Sequence, residues 1–217
     1  MPSPIGHALA GLAVGWCTIR DRNAAGARDT TLLIACVLAA TLPDLDLLYS
    51  PWHRLATHGI GTSVLIFIVV VLVTGKVTGR GAWRVAAIVA VAHVSHILLD
   101  WLGADRRPPL GIQALWPFDT AFYISGWDLF LSTERRDPFS WATVLWNGRA
   151  AIRELLIMAP VAALAWGFRR IRKNPGLTSS RGDRPQPFAG EADTRGISDR
   201  QAPRAERPEW QDTRRGR

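Results

Sequence analysis

Apolar segments of near-bilayer length, joined by short polar connections, dominate residues 1–168 and leave few folds open to this chain. A helix needs about 20 mostly apolar residues to cross a bilayer, and fewer when flanking side chains snorkel. Gly59–Gly75, Trp83–Leu102 and Ala150–Phe168 meet that requirement most clearly. Pro4–Ile19 is shorter and glycine-bearing, and Thr30–Leu48 ends in the polar run Pro43-Asp44-Leu45-Asp46. The pattern predicts an all-α fold, a polytopic membrane helical bundle with four to five transmembrane helices over residues 1–168. Pro160 is expected to kink the last helix without ending it, since neighbouring helices can satisfy the carbonyl it frees.

Residues 169–217 have another character, with thirteen basic and seven acidic residues, several prolines and almost no large aliphatics. Six of the eight net positive charges therefore lie in this stretch. A segment so poor in apolar side chains cannot bury a core, so a disordered tail is expected. Its basic residues are interrupted by acidic ones, so no nucleic-acid partner is expected. Basic residues near span ends favour the cytoplasmic side. Arg20, Arg22 and Arg28, then Lys76, Arg80 and Arg84, then Arg169, Arg170, Arg172 and Lys173 all fall on one side of a five-span arrangement. That places the tail in the cytoplasm and Pro43–His58 and Gly103–Arg149 at the outer face of an inner membrane. Cys17 and Cys36 lack metal or redox spacing and are read as small buried hydrophobes. Met1–Ile19 has no basic leader or cleavage signature and is read as retained.

All five histidines lie within the first 96 residues, and acidic residues accompany most of them. On the five-span topology, His7, Asp44, Asp46, His53, His58, His96 and Asp100 converge on the outer face, with His93 one turn deeper. Successive helical residues rotate by about 100 degrees, so His93, His96 and Asp100 project within about 60 degrees of one another. A His and an Asp one turn apart can share a cation, or the Asp can orient the imidazole from behind. An ionised Asp among apolar helices is costly without such compensation. The eight residues are therefore candidate metal ligands. For His93 the competing reading is a hydrogen-bonded helix contact, for His53 a headgroup-level position, and for Asp44 and Asp46 one ligand and one structural residue.

Met1-Pro-Ser-Pro-Ile-Gly-His7, Pro43-Asp44-Leu45-Asp46, His53-Arg54-Leu-Ala-Thr57-His58-Gly59 and His93-Val-Ser-His96-Ile-Leu-Leu-Asp100, followed by Trp116-Pro117, resemble the YdjM family of predicted membrane-bound metal-dependent hydrolases over roughly residues 1–165. The resemblance implies a hydrolase class without naming a substrate. The ligand order His7, Asp44 or Asp46, His58, then His96 with Asp100 is also similar to that of zinc-dependent phospholipase C and the P1-type nucleases. Those enzymes use a second helical ligand pair, whereas no histidine follows His96 here. One or two ions are thus expected rather than three.

The expected chemistry is hydrolysis assisted by a divalent metal, with zinc first and manganese or iron as alternatives for such N and O donors. Arg54, between two histidines, is a candidate catalytic residue for gripping an anionic group, against a headgroup anchor as its plainer role. Asp46 is a candidate catalytic carboxylate as well as a ligand. A site at the outer surface favours membrane lipids or a lipid-linked (phospho)ester as substrate, with Trp52, Trp101 and Trp116 as walls. The alternative is a non-catalytic metal-binding or transport protein with a structural metal. Ala121–Leu131 is apolar but too short to span, which suits an interfacial lid.

Overall fold

A computed structural model describes residues 2–19, 27–48, 54–78 and 81–173, all within one compact unit, Met1–Ser180. His53, Trp52 and the tail beyond residue 173 lie outside the described residues. The described chain is all helical: α1 (Pro4–Thr18), α2 (Ala27–Thr41), a 3-10 segment (Leu42–Leu48), a 3-10 turn (Ala56–His58), α3 (Ile60–Thr78), α4 (Ala82–Leu102) and α5 (Trp141–Lys173). No strand occurs among the described residues, only isolated bridges pairing Gly103 with Phe130 and Ile112 with Tyr123.

Among the described residues two helices, α4 and α5, are long and apolar enough to cross a membrane, fewer than the four to five spans expected. The shortfall has a plain cause. At 1.5 Å per residue, α1 and α2 with 15 residues each measure only about 22 Å, against a hydrocarbon thickness of about 30 Å. Ile60–Lys76 is apolar but shorter than the two long helices. Pro160 sits inside α5, which continues past Phe168 to Lys173.

Small residues set the packing. Gly11 and Gly15 stand one turn apart on α1, and a Cβ at either would come within 2.7 Å of α2, meeting the Cys36 carbonyl and Leu33 respectively. This G-x-x-x-G spacing lets the two backbones approach, as in membrane helix pairs. Cys36 and Ala39 of α2 then pack on Val89 and Ala92 of α4, while Ala10, Leu99, Phe130 and Met158 join α1, α4 and α5. Cys36 is buried as expected, whereas Cys17 is exposed, because it lies on the face of α1 turned away from the glycine seam. The outer faces are apolar: Leu65 and Leu72 of α3 and Leu156 and Leu164 of α5 are all more than half exposed.

Residue 43 explains how α2 ends. Proline has no N–H and crowds the carbonyl four residues back, so the α pattern stops at Thr41 and a tighter 3-10 segment carries Asp44 and Asp46. The last carbonyls of α2 are left for other donors. Beyond α4, residues 103–140 wrap the helix end without forming a helix. Ala104 donates to the Phe130 carbonyl at 2.8 Å, and Ser125 to that of Trp101 at 2.9 Å. Ala121–Leu131 is an extended strap that buries Phe130 under the end of α4. The start of α3 is tied to the same wrap by Gly61, whose N–H donates to the Trp116 carbonyl. A Cβ there would meet Pro117 at 2.5 Å.

Candidate metal centre

His7 belongs to the first turn of α1, which Ser3 caps and Pro4 opens. That turn is clamped from α5 by Glu154, a fully buried carboxylate that accepts from the Ser3 N–H (2.6 Å), the Ser3 hydroxyl (2.5 Å) and the Gly6 N–H (3.2 Å). Asp44 comes from the 3-10 segment after α2, His58 from the turn before α3, and His96 and Asp100 from one face of the last turns of α4. His7, His58 and His96 have no exposed surface, and Asp100 is 2 % exposed.

The imidazoles of His7 and His96 lie 4.0 Å apart between centroids, and those of His58 and His96 4.7 Å. His7 Nε2 stands 3.4 Å from Asp100 Oδ1 and 3.8 Å from Asp44 Oδ2. His58 Nε2 and His96 Nε2 stand 3.3 Å and 3.2 Å from Asp100 Oδ2. Donor atoms held about 2.0–2.2 Å from one ion at tetrahedral angles are themselves roughly 3.3–3.6 Å apart, so most of these separations match neighbouring ligands. His7, Asp44, His96 and Asp100 each offer a donor atom within 4.8 Å of all the others.

Tautomers sharpen this picture. His96 Nδ1 faces the Ala40 carbonyl at 2.9 Å, one of those released at the end of α2. A carbonyl only accepts, so Nδ1 carries a hydrogen, and in the neutral ring Nε2 is then the nitrogen free to ligate a metal. That nitrogen and Asp100 Oδ2 stand 3.2 Å apart in a dry pocket, a spacing at which both can bind one cation. Both oxygens of Asp44 and Asp100, both nitrogens of His7 and His96 Nε2 are buried without a hydrogen-bond partner among the described residues. Buried polar atoms are nearly always satisfied, and this many orphans at one point form a cluster able to hold a cation. The residues fit a divalent metal: three imidazoles, and two carboxylates whose charge one such ion would balance.

Asp46 is placed differently from Asp44. It accepts from the Thr57 hydroxyl (2.5 Å) and the Arg54 N–H (3.2 Å), and its Oδ2 lies 3.2 Å from His58 Nδ1. It thus orients His58 from behind, leaving Nε2 directed at the cluster. Burial lowers the His58 pKa, but Asp44, Asp46 and Asp100 outweigh it and hold it up at about 9. Positive charge is strongly favoured here.

Two expected participants are not brought in. Both ring nitrogens of His93 are taken, Nδ1 by the Ser63 hydroxyl (2.7 Å) and Nε2 by the Thr57 carbonyl (3.1 Å), which leaves no lone pair for a metal. Arg54 turns its guanidinium to Asp105 (2.5 Å) and to the carbonyls of Arg107 and Pro109, away from any grip on a ligand. Asp46 reaches the centre through His58, its Oδ2 also accepting from Thr57 and the Arg54 N–H. Glu154 escaped notice in the sequence, although a carboxylate inside an apolar span is itself a signal of function or of a buried partner.

An all-helical body with apolar outer faces and a buried imidazole–carboxylate cluster able to hold a metal ion defines a membrane protein with a candidate metal centre. More narrowly, the chain belongs to the YdjM inner membrane protein family, whose model matches residues 1–174. No curated protein and no solved structure matches the chain, so the likeness to phospholipase C and the P1-type nucleases rests on ligand order alone.

Proposed function

We propose that this chain is a membrane-bound, metal-dependent hydrolase acting on a lipid or lipid-linked phosphoester at the outer face of the inner membrane. The observation that carries the reading is the gathering of His7, Asp44, His96 and Asp100, whose buried donor atoms lack hydrogen-bond partners among the described residues and lie within 4.8 Å of one another. His7, Asp44, His58, His96 and Asp100 would hold the ion, and zinc suits their N and O donors. When bound, the ion supplies Lewis acidity, lowering the pKa of a water and polarising the oxygen of the bond to be broken. The chain's own contribution is orientation. Asp46 aims His58, the Ala40 carbonyl aims His96, and Glu154 fixes the turn bearing His7. Asp44 is the least deeply buried member, its side chain 10 % exposed though both carboxylate oxygens are covered.

Five spans with the N-terminus and cluster outside and the tail inside belong to the same proposal. The exposed apolar faces of α3 and α5 support it, as do Lys76, Arg84 and Arg169 at the end of the helices opposite the cluster. A reporter fused after residue 173 tests the orientation, and an outward-facing C-terminus would reject it.

The near-complete burial of His7, His58, His96 and Asp100 favours a second reading, a structural or transport metal with no open coordination position. One experiment separates the two. Detergent-purified protein and its D100A variant are analysed for metal and assayed on phospholipids and soluble phosphomonoesters. Stoichiometric metal with turnover, both lost in D100A, supports the hydrolase; metal without turnover supports the structural site; absence of metal after reloading rejects both.

A further inference from the structure

Beside the cluster lies a cleft of about 330 Å³, lined among others by Arg54, Arg106, Arg107, Thr133, Arg135 and Trp146. That volume is at the lower end of small-ligand sites and suits a headgroup-sized anion. Four guanidinium groups meet only two carboxylates there, Asp105 and Glu134, so the lining carries a formal charge of +2. Arg54 is matched to Asp105 and Arg107 to Glu134. Arg106 stacks on the Trp146 ring at 4.6 Å, and the Arg135 guanidinium has no hydrogen-bond or carboxylate partner among the described residues.

The walls are built rather than loose. The Trp146 indole donates to the Ser132 carbonyl (2.8 Å), and Asn147 both accepts from the Glu134 N–H and donates to its carbonyl (2.8 Å each). Residues 132–134 are thereby fastened to the first turns of α5. The cleft is tied to the metal centre through one of its lining residues, because the Arg54 N–H binds Asp46, which orients His58. Burial lowers the Arg135 pKa from its ordinary value, Asp44 and Asp100 act against that, and Arg54 and Arg107 act with it. The fields of the cluster carboxylates thus reach the Arg135 guanidinium.

We propose that this cleft is the anion subsite of the enzyme, in which Arg135 and Arg106 hold the phosphoryl group of the substrate beside the metal centre. The proposal rests on the hydrolase reading for its purpose but not for its chemistry. Planar guanidinium forks match phosphate oxygens in pairs, and pre-organised ones lose little entropy on binding. It also moves the anion-gripping role from Arg54, whose side chain is occupied, to residues more than 50 positions later in the chain.

The test is calorimetric titration of inorganic phosphate into the full-length, detergent-solubilised protein, with and without prior chelation. Wild type is compared with R135Q, R135K, R106Q and, as a control outside the cleft, R84Q. Chelated wild type is expected to bind phosphate, R135Q to bind it roughly ten- to a hundredfold more weakly, R135K to fall between, and R84Q to match wild type. Phosphate binding unchanged in R135Q overturns the proposal, as does binding that disappears on chelation. Metal content measured on the same samples keeps the two readings apart: R135Q should hold metal as wild type does. Phosphate binding lost in R135Q by a protein that never takes up metal leaves the cleft standing and removes the hydrolase. Nanodiscs containing phosphatidic acid identify the source. Displacement of bound phosphate supports a lipid headgroup in the cleft, and retention of bound phosphate supports a soluble phosphoester there.

Discussion

Two fully buried carboxylates in this bundle meet opposite fates. Glu154, on α5, accepts three hydrogen bonds from Ser3 and Gly6 and so completes the start of α1. Asp100, on α4, accepts none, although it is surrounded by imidazoles and lies close to Asp44. Burying an ion costs several kcal/mol unless partners replace its water, so the two sites cannot be serving one purpose. In the first region the protein satisfies itself. In the second it has gathered imidazoles and carboxylates whose buried atoms lack hydrogen-bond partners among the described residues, a set able to hold a metal ion.

The largest effect should come from exchanging charge at Asp100. D100N removes one ligand charge and one acceptor from the centre, so metal content should fall from stoichiometric to trace. The sign of its stability effect should depend on the metal. Without metal, D100N removes a buried charge that has no hydrogen-bond partner among the described residues and should raise the thermal midpoint; with metal, wild type gains the binding free energy and should be the more stable of the two. A D100N variant that melts below wild type in chelator would show that Asp100 is satisfied by the protein after all.

The matching change at Glu154 should behave in the ordinary way. E154A leaves the Ser3 and Gly6 N–H groups without their acceptor and should cost about 3 kcal/mol, whether metal is present or not. It should weaken metal binding only modestly, through the loosened turn that carries His7. Thermal unfolding in detergent at saturating metal and in chelator checks both statements. A loss seen only with metal present would move Glu154 into the metal centre.

His93 and His96 make a finer version of the same contrast, since they sit one turn apart with rings 6.4 Å between centroids. H93A strands the Ser63 hydroxyl and the Thr57 carbonyl and should cost about 1–3 kcal/mol while metal content stays at the wild-type level. H96A should lose metal. Equal metal loss in both variants would return His93 to the ligand set.

That pair also shows where reading the sequence stops. His93, His96 and Asp100 share a helical stripe, which local geometry makes visible, and the apolar runs mark α1, α3 and α4 to within a few residues. What decides the roles is tertiary: Ser63 and Thr57 come to His93 from across the bundle, and the Ala40 carbonyl comes to His96 because Pro43 ends α2 early. The choice between Asp44 and Asp46 depends likewise on the 3-10 path that turns one carboxylate to the cluster and the other to Thr57. Arg135 was illegible for a different reason. It lies in a segment without periodicity, where only the assembled wrap around α4 reveals its neighbours.

The smallest effect belongs to the opposite end of the helices, where Asp29 of α2 pairs with Arg169 of α5 at 2.6 Å. This pair resembles Glu154 in being matched within the protein, but its side chains are 12 % and 17 % exposed, so water supports both charges. Asp29 also keeps other interactions when Arg169 is removed. R169Q should therefore cost about 1 kcal/mol or less, and the loss should shrink as salt is raised, because a partly exposed pair is screened. Metal content and phosphate binding should not change at all. A large, salt-independent loss in R169Q would mean that this end, too, shields its charges from water as fully as the cluster does, and the division between the two regions would then lie in their ligands alone.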